Sequence, residues 1–448
     1  MRLESYGQGW QDLASMPIDI PLTPLDPWIA ESIDRLFLRD AAIRDPLRIG
    51  SRDEIERAQN YLLRRLIRHA SLYSPFYRDR LDGKDNIPLE ELPFISPSDL
   101  AQYGQRFLTV SQSEIRRVVT LWTSGTSSIP KRVFLTDDDI EATREFFLHG
   151  MTTFTAPESR VAVFMEGASP DSIGDVLRSA LDERRCETRV FGLVDDPAEA
   201  ASNIDEFRPS VVVGLPVQMA KVAALSRHEP ESVLLSADIV PWALRRRIKR
   251  LWGCRVFSHY GLTESGWGCA VECQALRGCH VRELDVLLEI VDEKGNVLPD
   301  GEWGEGEWGE VVITMIRRLS FPLIRYRTND EGRVLKGSCP CGSPLKRIEV
   351  KGRLPERGAG GVPIRLYDVE EILWNLPWVE DFRLSLQHVD QGHATLFLTI
   401  AANENRKGLS EEAVDLLKQC PGMPEKIIAM VVDVLAFESP KGKRDWEN

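Results

Sequence analysis

The sequence predicts an α/β protein. It has a large N-terminal domain of layered parallel sheets with a β-rich subdomain, followed by a small α+β C-terminal domain. Three observations carry this. Short β-branched runs alternate with helix-like segments through the middle of the chain, the pattern of parallel strands joined by crossover helices. From about Val281 the texture changes to strand-like runs separated by turn signals. Gly358-Ala359-Gly360-Gly361 then reads as a flexible linker ahead of a last stretch with its own strand–helix alternation. A chain of 448 residues exceeds one ordinary core. The expected domains are 1–352 and 353–448.

Residues 1–50 give little regular signal. Ser51-Arg52-Asp53-Glu54 opens a helix with a capping box, and Ile55, Ala58, Leu62, Leu66 and Ala70 mark its buried face until Ser74-Pro75 ends it. Val161 to Met165 and Val211 to Gly214 read as strands, with helices around Asp175–Leu181 and Val217–Leu225. Leu287 to Val291 and Val311 to Ile313 read as strands of the β-rich part. Between them Gly301-Glu302-Trp303-Gly304-Glu305 is repeated as Gly306-Glu307-Trp308-Gly309-Glu310, which reads as a lengthened surface turn. The C-terminal part offers a helix near Val369–Leu376, strands at Phe382–Leu386 and Ala394–Ile400, a helix at Glu411–Lys418 and a strand over Ile427–Phe437.

Composition excludes some classes. Net charge is −13, which argues against a nucleic-acid partner, whose binding rests on neutralising phosphates. Arg245-Arg246-Arg247-Ile248-Lys249-Arg250 is read as a solvated helix face. No run of about 18 apolar residues predicts a membrane span. Met1 to Pro24 does not read as a signal peptide, so a cytoplasmic location is expected.

The chemistry is carried by a set of ordered motifs. Leu121-Trp122-Thr123-Ser124-Gly125-Thr126-Ser127-Ser128-Ile129-Pro130-Lys131 supplies small residues, backbone N–H groups, hydroxyls and a cation, as a phosphate-cradling loop needs. It is not the common NTPase loop, because a second glycine is missing and no Ser/Thr follows Lys131. Ser258-His259-Tyr260-Gly261-Leu262-Thr263-Glu264 follows a strand-like run. It offers an aromatic face, a glycine for close approach, a hydroxyl and a carboxylate suited to Mg²⁺. Arg325-Tyr326-Arg327-Thr328-Asn329-Asp330 adds a carboxylate suited to ribose hydroxyls. Ser439-Pro440-Lys441-Gly442-Lys443-Arg444 forms a glycine-hinged basic tip.

This ordered set resembles the acyl-adenylate-forming superfamily, and within it the phenylacetate–CoA ligase branch. The branch likeness rests on Arg68-His69-Ala70 to Ser74-Pro75-Phe76-Tyr77, Leu92-Pro93-Phe94-Ile95-Ser96, Glu272-Cys273 to Cys279-His280-Val281, and Pro322-Leu323-Ile324-Arg325-Tyr326-Arg327-Thr328. The resemblance implies an ATP-dependent enzyme that activates a carboxylic acid, of aryl or arylacetic type, as an acyl-adenylate and passes it to coenzyme A. A mobile C-terminal domain would carry a lysine to and from the site between the two steps. By matching position, Thr123, Ser124, Gly125, Thr126, Ser127 and Lys131 would handle the ATP phosphates, and Ser236, Ala237 and Asp238 would flank the adenine. Tyr260 would stack on that ring, with His259 in the pocket wall and Gly261 beside it. Thr263 would lie near the α-phosphate, Glu264 would hold Mg²⁺, Asp330 would bind the ribose, and Arg353 would reach the nucleotide. Lys443 would serve the adenylation step, alongside Glu264, Thr126 and Lys131 as the catalytic set. The chain departs from the branch at Leu354-Pro355-Glu356, where acidic residues are usual and Pro355 should stiffen the hinge. Two other readings stand beside the ligase: transfer of the acyl group to a carrier protein, and a nucleotide-binding scaffold without turnover. A homodimer is compatible with the sequence.

Eight cysteines in a chain expected to stay reduced suggest metal or catalysis rather than disulfides. Cys273, His280, Cys339 and Cys341 offer three thiolates and an imidazole, a closed tetrahedral set for structural Zn²⁺. The alternative is free thiols with a surface histidine. Cys269 and Cys279 are substitute ligands, and Cys186, Cys254 and Cys420 read as buried thiols.

Overall fold

The computed structural model describes residues 20–37, 50–81, 87–121, 129–299, 306–357, 362–390, 393–404, 406–434 and 437. The chain folds into two compact units. The first comprises Met1–Ser159, Ala168–Glu187 and Phe257–Glu349; the second comprises Arg160–Gly167, Thr188–Val256 and Val350–Asn448.

In the first unit, the helix Arg52–Tyr73 starts as its sequence predicts. The Ser51 side chain accepts from the Glu54 N–H, and the Glu54 carboxylate accepts from the Ser51 N–H. All five expected core residues are buried, together with Leu63 and Ile67. Arg52 holds Glu283 with both terminal nitrogens, at 2.7 and 2.9 Å, and Gln59 donates to the Glu283 carbonyl at 2.8 Å. The helix is thereby tied to the chain just beyond His280.

The strands of this unit run antiparallel. Val286–Val291 pairs with Gly309–Met315, which pairs with Tyr326–Leu335. Cys279–Val281 lies between Ala270–Glu272 and the strand beginning at Arg347, and Ala270 faces Tyr260. A separate hairpin joins Arg117–Leu121 to Lys131–Leu135, with Leu121 opposite Lys131. Residues 122–128 at its tip, which include Thr123 to Ser127, lie outside the described residues. The helix Asp137–Met151 follows, capped by Thr136 with Asp139 in a second capping box.

The second unit has the parallel sheet that the alternation predicts. Arg160–Phe164, Val211–Gly214 and Ser232–Leu235 pair in parallel, with helices Pro197–Phe207, Pro216–Leu225 and Trp242–Trp252. After residue 362 the chain forms helix Leu366–Leu373, strands Val379–Asp390, His393–Ala402 and Lys426–Asp433, and helix Leu409–Leu417. Phe382, Leu396, Leu398 and Ile400 from this sheet share one apolar core with Ala243, Leu244, Ile248 and Trp252. Lys221 pairs with Asp381, and the Glu371 carboxylate accepts from the Ala243 N–H at 2.6 and 2.9 Å.

Two expectations need correction. The basic run is not a uniformly solvated face: Arg246, Lys249 and Arg250 are exposed, but Arg245 is buried over the Trp242 ring and donates to the Val256 carbonyl. Arg247 is half-buried and pairs with Glu380 at 2.9 Å. A guanidinium can stack and bond through its edge at once, which a charge count does not reveal. The second copy of the duplicated pentapeptide is not a surface turn either. Gly306 is packed so closely that a Cβ there would lie 2.2 Å from the Val334 carbonyl oxygen, and Gly309 and Glu310 start a strand. The first copy, 301–305, lies outside the described residues, as do the linker glycines 358–361 and the basic tip 438–448 with Lys443.

Among the described residues no helix is long and apolar enough to cross a membrane.

Candidate active site and metal centre

In the first unit the structure brings Lys131, Glu264 and Tyr326 together. Lys131, the first residue of its strand, turns inward, and its Nζ donates to Glu264 Oε1 at 2.7 Å. Tyr326, at the start of its strand, donates its hydroxyl to the same oxygen at 2.8 Å. Both bonds land on Oε1, and neither uses Oε2. Burial pushes the Glu264 carboxyl up; the Lys131 charge and the two hydrogen bonds more than reverse this, holding it below the usual carboxylate range. A buried carboxylate held in its ionised form near pH 7 is the donor type that Mg²⁺ takes.

The turn carrying Glu264 is fixed from both sides. A Cβ on Gly261 would lie 2.0 Å from the Trp267 carbonyl oxygen, so only glycine fits where the chain folds back on itself. Arg318 donates to the Glu264 carbonyl at 2.7 Å and to the Phe134 carbonyl at 2.5 Å, and its Nε lies 3.4 Å from Asp139. One buried guanidinium thus joins the turn, the hairpin and the helix cap. The sequence reading missed Arg318 and Tyr326. Tyr326 stands inside a motif already singled out, but Arg318 has no local signal.

Tyr260 closes its strand and donates its hydroxyl to Asp330 Oδ2 at 3.0 Å. Burial, then the Asp330 charge, keeps that phenol well above its usual range, so it donates rather than ionises. The Asp330 N–H is held by the Thr328 hydroxyl at 3.0 Å. His259 packs against the rings of Phe146 and Phe147, and burial pushes its imidazole down to about 4, so it is neutral near pH 7. Thr263 opens the short 3₁₀ turn that holds Glu264.

In the second unit, Ser236 is buried and its N–H donates to the Gly214 carbonyl at 3.1 Å. Ala237 takes a left-handed conformation, φ 68°, which is strained for a residue with a Cβ. Asp238 caps the Ile239 N–H at 2.9 Å. Arg353 ends its strand with its side chain exposed, just after Gly352, whose φ of 90° permits close packing on Ile239.

The cysteine–histidine set converges. The ligand atoms of Cys273, His280, Cys339 and Cys341 all lie within 4.8 Å of one another, and all four residues are buried. Cys273 Sγ is 3.6 Å from Cys339 Sγ, and Cys341 Sγ is 3.5 Å from His280 Nε2. A tetrahedral zinc with Zn–S about 2.3 Å and Zn–N about 2.05 Å requires edges of about 3.8 and 3.6 Å, so the residues fit this ion. Brought together as thiols, the sulfurs compete for protons. Hydrogen bonds with Cys339 and Cys341 push Cys273 far above the usual thiol range, while the bond with Cys273 holds Cys339 well below it. Cys269 and Cys279 do not join the set; Cys279 Sγ points at the Ser258 carbonyl, 3.4 Å away. Cys186, Cys254 and Cys420 are buried thiols, as expected.

The family model described as AMP-binding enzyme matches residues 84–314, just over half of the 448. A phenylacetate-coenzyme A ligase from Pseudomonas putida is 28% identical over 402 residues, covering 80% of this chain and 89% of the relative. One from Aromatoleum evansii is 26% identical over 418 residues, covering 86% and 92%. Among solved structures, 2-hydroxyisobutyryl-CoA ligase in the postadenylation state with 2-HIB-AMP aligns with a TM-score of 0.75 at 18% identity, covering 88% of this chain and 89% of that one. That last likeness is one of fold. The motif resemblance to the phenylacetate–CoA ligase branch is borne out, and the chain belongs to the AMP-binding enzyme family.

Proposed function

We propose that this protein activates a carboxylic acid with ATP to an acyl-adenylate and then transfers the acyl group to coenzyme A, releasing AMP. It is an AMP-forming carboxylate–CoA ligase. The acid's ionised oxygen attacks the α-phosphorus, the bond to the bridging oxygen breaks, and pyrophosphate leaves. The thiol of coenzyme A then attacks the mixed anhydride at its carbonyl carbon, and AMP leaves. The nucleophile of the first step is already ionised, so the demand on the protein is to stabilise negative charge on the phosphorus oxygens.

The observation that carries the reading is the buried Lys131–Glu264–Tyr326 cluster, together with the Tyr260–Asp330 pair, whose members stand four residues from Glu264 and Tyr326 in the chain. In this proposal Glu264 would hold Mg²⁺, which would neutralise phosphate charge when bound. Lys131 leaves Glu264 Oε1 for a phosphate oxygen as ATP enters. Asp330 takes a ribose hydroxyl, and Tyr260, oriented by its bond to Asp330, offers its ring to adenine. Neutral His259 adds no charge to the wall. Thr123 to Ser127 with Lys131 cradle the phosphates; Thr126 and Thr263 offer hydroxyls, and Ser236 to Asp238 flank the base. Arg353 contacts the nucleotide, and Lys443 reaches the α-phosphate during adenylation. An arylacetic acid is the substrate class we favour, because the relatives above are phenylacetate ligases. Cys273, His280, Cys339 and Cys341 would hold a structural Zn²⁺ with no open position, tying the turn after Ala270–Glu272 to the one after Tyr326–Leu335.

ATP–pyrophosphate exchange across aryl, arylacetic and short aliphatic acids tests the proposal. We expect exchange with an arylacetic acid and AMP release only on adding coenzyme A. Exchange without coenzyme A turnover would transfer the second step to another acceptor. Lys443→Ala should abolish exchange while ATP still binds; normal exchange by that variant would overturn its role.

A further inference from the structure

The proposed metal centre has an unexplained neighbour that lies ahead of residues 84–314, the span matched by the family model. Asp26 lies in the first turn of the helix Leu25–Leu36 and is 1% exposed. Its Oδ1 accepts from Ser343 Oγ at 3.0 Å, and Ser343 stands two residues beyond Cys341. Its Oδ2 is buried and has no hydrogen-bond partner among the described residues. His280 is fully buried, presents Nε2 to Cys341, and has a buried Nδ1 that likewise lacks a partner among the described residues. The carboxylate lies within electrostatic reach of that imidazole. Ile20, from the same N-terminal segment, packs against Cys273, Cys339 and Cys341.

Buried polar atoms rarely stay unpaired, and a buried carboxylate is costly without a compensating positive charge. The two orphans are complementary, one acceptor and one ring nitrogen able to carry a proton. A histidine that ligates metal through one nitrogen commonly donates the other N–H to a carboxylate, which fixes its tautomer and increases its basicity as a ligand.

We propose that Asp26 is the outer carboxylate of the metal centre: with metal bound, its Oδ2 would accept the Nδ1–H of His280, a bond that neither atom makes in this structure, and so commit the Nε2 lone pair to the metal. This rests on the zinc reading above. The N-terminal helix is then part of the centre rather than a neighbour, since Asp26 reaches one ligand through His280 and steadies the Cys341 loop through Ser343. The Glu283 contacts of Arg52 and Gln59 brace the same strand end from the next helix.

The test uses the full chain. Zinc content is measured after metal-buffered dialysis, and affinity by competition with a chromogenic chelator at fixed pH. Variants are Asp26→Ala, Asp26→Asn and Ile33→Ala, the last loosening the same helix without touching the centre. We expect Asp26→Ala to bind zinc about 10- to 100-fold more weakly. Asp26→Asn, whose amide oxygen can still accept a hydrogen bond, should fall between it and the unsubstituted chain, and Ile33→Ala should stay within about threefold. Should Asp26→Ala fail to fold, the Asn variant carries the comparison. Unchanged affinity in both Asp26 variants overturns the proposal and leaves the zinc site standing. An equal loss in Ile33→Ala overturns it too, because helix docking alone would then explain the effect. An unsubstituted chain that takes up no zinc removes the zinc reading itself.

Discussion

Replacing Lys131 by alanine strands a buried carboxylate. The Lys131 amine and the Glu264 carboxylate sit 2.7 Å apart with side chains 11% and 7% exposed, so their attraction at an effective dielectric of 20 is ~6 kcal/mol. Most of that offsets the cost of taking both charges out of water. Removing one partner leaves the other's cost uncovered, and the expected loss is about 3–5 kcal/mol at pH 7. The pH dependence follows. In the unsubstituted protein Glu264 titrates below its ordinary 4.5, so its contribution is present above that value and lost as pH falls through the lower, folded-state pKa. Without Lys131, burial holds the carboxyl above 4.5. Protonation then favours the fold, and the variant's penalty shrinks as pH falls. The assay is hydrogen exchange in urea at pH 7 and pH 5, read on peptides covering Lys131–Leu135 and Tyr326–Leu335, for Lys131→Ala, Glu264→Gln and the double variant. The double variant should lose less than the sum of the singles, with a coupling of about 1–3 kcal/mol. A Lys131→Ala penalty below about 1 kcal/mol with no coupling would refute the pairing argument.

Tyr326→Phe removes the second bond to Glu264 Oε1, made at 2.8 Å, and bonds to a charged group contribute about 1.5–3 kcal/mol. We expect roughly tenfold or more Mg²⁺ to be needed for half-maximal pyrophosphate exchange, and an unchanged Mg²⁺ requirement would show that Tyr326 does not orient Glu264. Burial holds His259 and His149 at about 4, so at these two side chains the unfolded chain binds more protons than the native one between about pH 6.5 and 4, while Asp26, pushed up to about 6 by burial, acts in the opposite sense. The histidine contribution to stability should therefore drop as pH is lowered through that window, by at most about 1.4 kcal/mol per pH unit for buried His259 and less for His149. His149→Gln should flatten the slope in urea titrations, and an identical slope would contradict this. Metal analysis should find about one zinc per chain, and its removal by a chelator should expose residues 339–345 to proteolysis; a metal-free chain equally resistant there would remove the structural zinc.

Much of the fold was legible in local sequence because its elements are locally determined. The capping box at Ser51, the spacing of Ile55 to Ala70 and the β-branched run Val211–Val213 each name their own structure. Motif order alone was enough to identify the family. The cysteine and histidine spacing was suggestive, yet only folding brought Cys273 and Cys339 to 3.6 Å.

What tertiary structure alone decided are pairings between residues far apart in the chain. Lys131 could have been read only as a phosphate cation; the fold seats its amine on Glu264. Arg318 reads as a surface arginine, yet it binds the turn, the hairpin and the helix cap together. Asp26 sits in a segment with little local signal and ends bonded to Ser343, beside a cysteine–histidine cluster formed more than two hundred residues later. Sequence patterns report periodicity and residue type, which set secondary structure and chemistry. Which charge is buried beside which other charge depends on packing of distant segments, and no local pattern encodes it.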